Sequence, residues 1–130
     1  MRRATSTAYY ALFHCLARAC ADLMVGGDGA KKSPEAWSQV YRALSHGTAK
    51  DQCKNQKVMN KFPQEIQDFA NQFVAMQTNR HEADYNPTGS YFKSAVMAHI
   101  ATTERAIKDF GKATVKDRRA FAAWVLFKVR

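Results

Sequence analysis

Two stretches of this sequence carry residue types that could act on a phosphate. One reads Arg80-His81-Glu82-Ala83-Asp84-Tyr85, and the other, near the start, runs from Arg3 through Tyr9 and Tyr10 to His14. A guanidinium matches phosphate geometry in two-point contact, and an imidazole has a reference pKa near ~6.5. Metal-free RNA cleavage needs such a pair: a base to activate the ribose 2′-hydroxyl and a cation to stabilise phosphorane-like charge. Arg80 is the candidate cation, with His81 or His14 as the base. Tyr85 can donate a hydrogen bond but is a poor base at neutral pH, with a reference pKa near ~10. His81 directly follows Arg80, and adjacent helical positions point ~100° apart. His14 serves only if its own helix lines the same cleft.

The same residues have a purely structural reading. Arg80 and Asp84 stand four apart at a helix end and could pair there, with Tyr85 tucked over the core and bonded through its hydroxyl. His14 and His99, flanked by apolar residues, suit the interior of a bundle. His46 and His81 lack the carboxylate-rich spacing of a metal site, so no metal and no cofactor are expected. Tyr9 belongs to a core stripe, whereas Tyr10 could line an interface or stack on a base. No GxGxxG, P-loop, HExxH or GxSxG pattern occurs, which leaves nucleotide hydrolysis and metalloprotease chemistry without support.

The elements that must position these residues are helical. Tyr9, Phe13, Leu16, Cys20 and then Leu23 or Met24 recur at helical spacing, predicting a helix from about Ala4 to Val25, with Tyr10, His14, Ala17 and Ala21 as a second face. Gly26-Gly27-Asp28-Gly29 stops it. Ser33-Pro34-Glu35 restarts a helix, with a serine cap, proline at the first position and an acid at the positive end. Trp37, Val40, Tyr41 and Leu44 mark its buried stripe, and Gly47 is a plausible stop. The polar, lysine-rich stretch from Thr48 to Asn60 reads as a loop or a short, loosely held helix, and as the most mobile part of the chain.

Phe62-Pro63 opens a third long helix, its stripe formed by Phe62, Ile66, Phe69, Phe73 and Met76. Asn86-Pro87-Thr88-Gly89 is turn chemistry. A fourth helix should start near Ser90 and bury Phe92, Val96, His99 or Ile100, Thr103, Ile107 and Phe110, with Gly111 ending it. Thr114-Val115-Lys116-Asp117 resembles a capping box with aspartate in place of glutamate, and opens a last helix carrying Phe121, Trp124 and Val125. No segment alternates as a strand would. The expected fold is all-α: an up-and-down bundle of four longer helices plus a short one, over residues 1–130 as one domain.

Composition narrows the class of partner. The 130 residues carry a formal charge of +9, an excess that attracts polyanions such as RNA. Basic residues outnumber acidic ones most clearly between Lys31 and Phe62 and between Arg105 and Arg130. Arg3, Lys54 and Lys57 are therefore further candidates for phosphate contact, beside Arg80 and Tyr10. The three cysteines, Cys15, Cys20 and Cys53, have no CxxC spacing, and Cys15 and Cys20 point in different directions on one helix. Reduced thiols are the simpler reading. No apolar run approaches the ~20 residues that span a bilayer, and the N-terminus lacks a secretory pattern. The expected location is the cytoplasm, away from membrane.

Two segments resemble the HEPN superfamily of small helical proteins. Arg3-Ala-x-Ser-x-Ala-Tyr-Tyr-Ala-x-Phe-His14 is similar to its first signature helix, and Arg80-His-Glu-Ala-Asp-Tyr85 is similar to an Arg-x-x-Ala-Asp-Tyr variant of its second. Their order and separation extend the resemblance over most of the chain. The resemblance implies a helical bundle that commonly forms a homodimer. Nuclease members cut RNA without a metal through an Arg-x(4–6)-His motif, two copies meeting across the dimer cleft. Other members bind nucleic acid or nucleotides, and many are encoded beside a nucleotidyltransferase as a toxin–antitoxin pair. Here the motif's histidine is missing from its expected place: Tyr85 and Pro87 occupy positions where it would fall, and the nearby His81 directly follows the arginine. Relatives also often carry a helix before the first signature, which this sequence enters almost at once. Expected functions are accordingly RNA or nucleotide-partner binding through a basic cleft, metal-independent RNA cleavage by Arg80 with His81 or His14, or pairing with a nucleotidyltransferase.

Overall fold

The computed structural model describes the backbone of residues 2–85 and 93–128 and the side chains of residues 3–82 and 95–128. Within these residues the chain forms seven helices and no strand: α1 (Arg2–Met24), α2 (Pro34–Ala43), α3 (His46–Cys53), α4 (Gln56–Met59), α5 (Gln64–Tyr85), α6 (Lys93–Phe110) and α7 (Val115–Leu126). They pack as a bundle in which α1 is central, touching α2, α5, α6 and α7. The 23 residues of α1 form a rod of about 35 Å. None of the described helices is long and apolar enough to cross a membrane.

The buried line of α1 runs through Ala8, Tyr9, Leu12, Leu16, Ala17, Cys20 and Ala21. Of the expected stripe Tyr9, Leu16 and Cys20 are buried, Phe13 and Leu23 half-buried and Met24 exposed, while Leu12 joins the buried line. The expected second face divides, with Ala17 and Ala21 buried and Tyr10 and His14 exposed. Small alanines at Ala17 and Ala21 let neighbouring helices approach, so that part of the face is consumed by packing. Of the expected stripe of α5, Ile66, Phe69, Phe73 and Met76 are buried, while Phe62, just ahead of the helix, is half-buried. Phe69 lies 4.6 Å from Phe110 between ring centroids and meets Phe121 edge to face. Phe62 meets Phe121 in the same way, so α5, α6 and α7 close on one aromatic cluster.

Caps follow the residue chemistry. The Ser33 hydroxyl accepts the Ala36 N–H at 3.1 Å, and Pro34 takes the first position of α2. At α7 the Thr114 hydroxyl accepts the Asp117 N–H at 3.1 Å and donates to the Asp117 carboxylate at 2.9 Å. The aspartate variant of the capping box thus closes on the threonine side chain, since its shorter arm meets the hydroxyl. Gly26, at φ +142°, ends α1, and a Cβ placed there would stand 3.1 Å from the Ala30 Cβ. Gly26→Ala should therefore lose about 1–3 kcal/mol, read as a lower urea midpoint with unchanged slope.

Three expectations are corrected. The stripe of α2 is only half-buried at Trp37, Val40 and Tyr41, and of its four residues Leu44 alone is buried. Gly47 does not stop α2; Leu44 takes extended geometry and Ser45 caps a new helix in which Gly47 is the second residue. Of the two readings for the lysine-rich stretch from Thr48 to Asn60, a loop or a short, loosely held helix, the structure has short helices, and they are docked on the bundle. The stretch forms most of α3 and all of α4, and it buries Ala49, Cys53 and Met59. Its few apolar residues suffice because backbone and side-chain polar groups dock it: Trp124 Nε1 donates to the Gln52 carbonyl at 2.8 Å, and Gln52 Nε2 donates to the Trp124 carbonyl at 2.9 Å. Four longer helices and one short one thus become seven. On α6 the buried line passes through Val96, Thr103, Ala106 and Phe110, with Ile100 half-buried and His99 exposed. The expected turn at residues 86–89, the start at Ser90 and the burial of Phe92 lie outside the described residues.

Candidate functional site

Helices α1, α3 and α5 converge where Tyr9, His46 and Arg80 meet. Periodicity on α1 turns Tyr9 inward and leaves the next residue, Tyr10, 39% exposed. Their rings meet edge to face at 5.5 Å. Arg80, near the end of α5, lays its guanidinium over both, with Cζ 5.1 Å from the Tyr9 ring and 5.2 Å from the Tyr10 ring. Such contacts attract a cation to the negative face of the ring. Arg80 Nη1 donates to the Tyr10 hydroxyl at 2.6 Å. Among the described residues no carboxylate pairs with Arg80; the ion pairs there belong to Arg18, Arg105 and Lys112. Arg80 Nε and, one turn back on α5, Gln77 Oε1 are buried without a hydrogen-bond partner.

His46 completes the centre, and sequence reasoning set it aside. The Ser45 cap starts α3 at this residue, and its ring stacks on Phe13 at 3.9 Å. The Gln77 side-chain amide donates to its backbone carbonyl at 3.4 Å. Burial pushes the Tyr9 phenol well above its ordinary range, with Arg80 pulling it partly back. Tyr9 therefore keeps its proton at neutral pH, and its hydroxyl is hydrogen-bonded to His46 Nδ1. Burial likewise lowers the His46 pKa, helped by the positive charge of Arg80 and by His14. A neutral His46 that accepts at Nδ1 carries its proton on Nε2.

That depression has a measurable consequence. The unfolded chain takes up this proton near the reference value of ~6.5, and the folded chain only at lower pH. Between those two values the unfolded state binds more protons, so stability rises with pH. The thermal midpoint should fall as pH is lowered from about 7 toward about 5, and His46→Gln should flatten that part of the profile. Circular dichroism melts across this range would check it.

Of the other sequence candidates, His14 joins the cluster and His81 does not share its face. His14 is stacked beside Tyr10 with 6.1 Å between centroids, and its Nδ1 lies 2.6 Å from the Tyr41 hydroxyl. His81 is exposed and turned ~100° from Arg80 around α5. Arg3 lies on the same line of α1 as Tyr10, two turns earlier, in a groove between α1 and α6. Lys54 and Lys57 are exposed, and Lys54 lies about 12 Å beyond His46 along the rise of α3. The cluster is therefore aromatic with one cation at its centre, and the lysines stand off from it. The side chains of Asp84 and Tyr85, expected to hold the motif structurally, lie outside the described residues.

No nucleophilic thiol or metal centre competes with this reading in the described residues. Burial pushes Cys15 up to about 11 and Cys20 and Cys53 up to about 12, and all three are free. No group of three or more His, Cys, Asp or Glu side chains there could hold a metal ion. His46 escaped the sequence because nothing near it in the chain announces a site: its partners come from α1 and α5. The one local signal is Ser45-His46 at a helix start, where the ring is held by the cap. Compared with family models, curated proteins and solved structures, the chain matches none.

Proposed function

We propose that this chain is a HEPN-like helical protein that binds RNA, or a nucleotide-bearing partner, at the Arg80 cluster. One observation carries the reading: a guanidinium held over two tyrosine rings, bonded to Tyr10 and unpaired with any carboxylate among the described residues. It combines the charge that holds a phosphate with an exposed ring that can stack on a base. The net charge of +9 adds long-range attraction. The homodimer and the toxin–antitoxin or defence context rest on the resemblance of the two signature segments. Titration of a labelled RNA at rising salt tests the proposal: affinity should fall steeply, because each phosphate contact releases counterions. Salt-independent or absent RNA binding would instead favour a protein-interaction module that pairs with a nucleotidyltransferase.

A second reading, metal-independent RNA cleavage, is favoured by the two histidines flanking the cluster. His46, neutral and with its proton on Nε2 when it accepts at Nδ1, suits a hydrogen bond to a phosphate oxygen, so solvent water supplies the proton that the leaving oxygen takes as its bond to phosphorus breaks. His14, when it donates Nδ1–H to the Tyr41 oxygen, has a free Nε2 lone pair to take the 2′-hydroxyl proton. Arg80 would then stabilise the charge on phosphorus. Degradation of RNA in EDTA that disappears in both Arg80→Ala and His46→Ala supports cleavage; RNA bound and recovered intact rejects it.

A further inference from the structure

Beside the Arg80 cluster the rings continue. Tyr10, His14, Tyr41 and Trp37 follow one another from α1 onto α2, with centroids 6.1, 6.0 and 5.2 Å apart and successive planes within 28°. A cation stands at each end: Arg80 over Tyr10, and Lys32 Nζ 5.6 Å from the Trp37 ring. The imidazole nitrogen accepts or donates in its own plane. His14 Nδ1 lies 2.6 Å from the Tyr41 oxygen with only 13° between the rings, so the two lie end to end as one flat surface.

That surface borders a groove of about 880 Å³ lined by His14, Tyr41, Trp37, Arg18, Asp22 and Lys32 among others. Hydrogen bonds and ion pairs hold its walls. Trp37 Nε1 donates to Asp22 at 2.9 Å, and Arg18 pairs with Asp22 at 3.7 Å and Asp28 at 3.4 Å. The two carboxylates are thus already matched by Arg18 and Trp37, while Arg80 at the opposite end has no carboxylate partner among the described residues. Within the groove Arg18 and Lys32 face Asp22 and Asp28, so its formal charges cancel, and Arg80 stands outside it at the far end of the ring ladder.

From this placement we infer that the ladder is the track for a single strand of RNA, with a phosphate on Arg80 and unpaired bases laid across Tyr10, His14 and Tyr41 toward Trp37. The inference deepens the proposed RNA binding and rests on it. Three features favour a single strand. The steps of 5.2–6.1 Å exceed the ~3.4 Å rise per base of a stacked helical strand, so each suits one base of an extended chain. A duplex keeps its base faces covered, leaving aromatic rings nothing to stack on. Rings already locked by hydrogen bonds lose little freedom when a base arrives. Stacking needs only a π-face, so single-stranded DNA shares the chemistry.

Fluorescence anisotropy with labelled six-nucleotide single-stranded RNA, the same sequence as a blunt duplex, and single-stranded DNA tests the track. Wild-type protein should prefer both single strands to the duplex. Tyr41→Ala should weaken single-strand binding about 5- to 150-fold, while Tyr41→Phe, which keeps the ring, should retain most of it. If circular dichroism shows that Tyr41→Ala fails to fold, His14→Ala, at an exposed position, takes its place with the same expectation. Wild-type protein that binds no oligonucleotide overturns the proposed function itself. Wild-type protein that binds duplex as tightly as single strand, or Tyr41→Ala that binds as well as wild type, overturns the track and leaves phosphate binding at Arg80 standing.

Discussion

Arg80→Ala should lower RNA affinity by about ten- to 150-fold, the equivalent of one charge-assisted contact to phosphate, and should leave the fold standing. The two halves of this expectation have separate causes. The loss of binding follows from removing the centre's one described cation and the two-point phosphate contact it offers. The small effect on folding follows from opposing contributions within the protein. Two cation–π contacts and the bond to Tyr10 are lost, worth about 0.5–1 kcal/mol each. Against that, the Arg80 Nε–H is buried without a partner, a burden of about 1–3 kcal/mol that alanine removes. The net change in stability should stay within about 1 kcal/mol of zero. Arg80→Lys should bind RNA more weakly than wild type despite keeping the charge, because a compact ammonium cannot lie across both rings and still reach a phosphate with a planar fork. Anisotropy titrations beside urea melts of the same preparations decide this. Unchanged RNA affinity in Arg80→Ala would remove the site.

Phe69→Ala should be the most damaging single change to the fold, at about 3–5 kcal/mol. Phe69 is 0% exposed and faces Phe110 and Phe121, so its deletion removes contacts among α5, α6 and α7 together. Those three helices cannot all move inward to fill one void, since α1 packs against each of them. Domains commonly hold only about 5–15 kcal/mol in total, so the variant should melt near or below room temperature at the lower end of that range. Met97, 55% exposed on α6, is the control: Met97→Ala should change stability by no more than about 0.5 kcal/mol. Equal midpoints for the two variants would mean that the aromatic cluster is not where stability resides.

The contrast between these two positions shows what can be read along a chain and what cannot. Phe69 was legible because a helix buries one face at a fixed period. Ile66, Phe69, Phe73 and Met76 needed no partner to be recognised as core. The capping residues Ser33 and Thr114 were legible for the same local reason, since a cap acts on N–H groups two or three residues away. The stretch from Thr48 to Asn60 is only half legible, because its polar composition leaves loop and short helix open and hides how firmly it is held. What holds it is a pair of reciprocal bonds from Gln52 to Trp124, far along the chain, and no window of neighbouring residues contains both ends.

By itself the sequence determined the all-α class, the helical stripes, the caps and the excess positive charge, because each depends on period, local hydrogen bonding or simple counting. It also singled out Arg80, Tyr10 and His14 by residue type. Only the tertiary structure decided that Arg80 rests on Tyr9 and Tyr10, that His46 rather than His81 is the histidine bonded there, and that Tyr41 and Trp37 extend the rings. Those relations join α1, α2, α3 and α5. They are set by which helix faces pack against one another, a property of the whole core that no local spacing encodes.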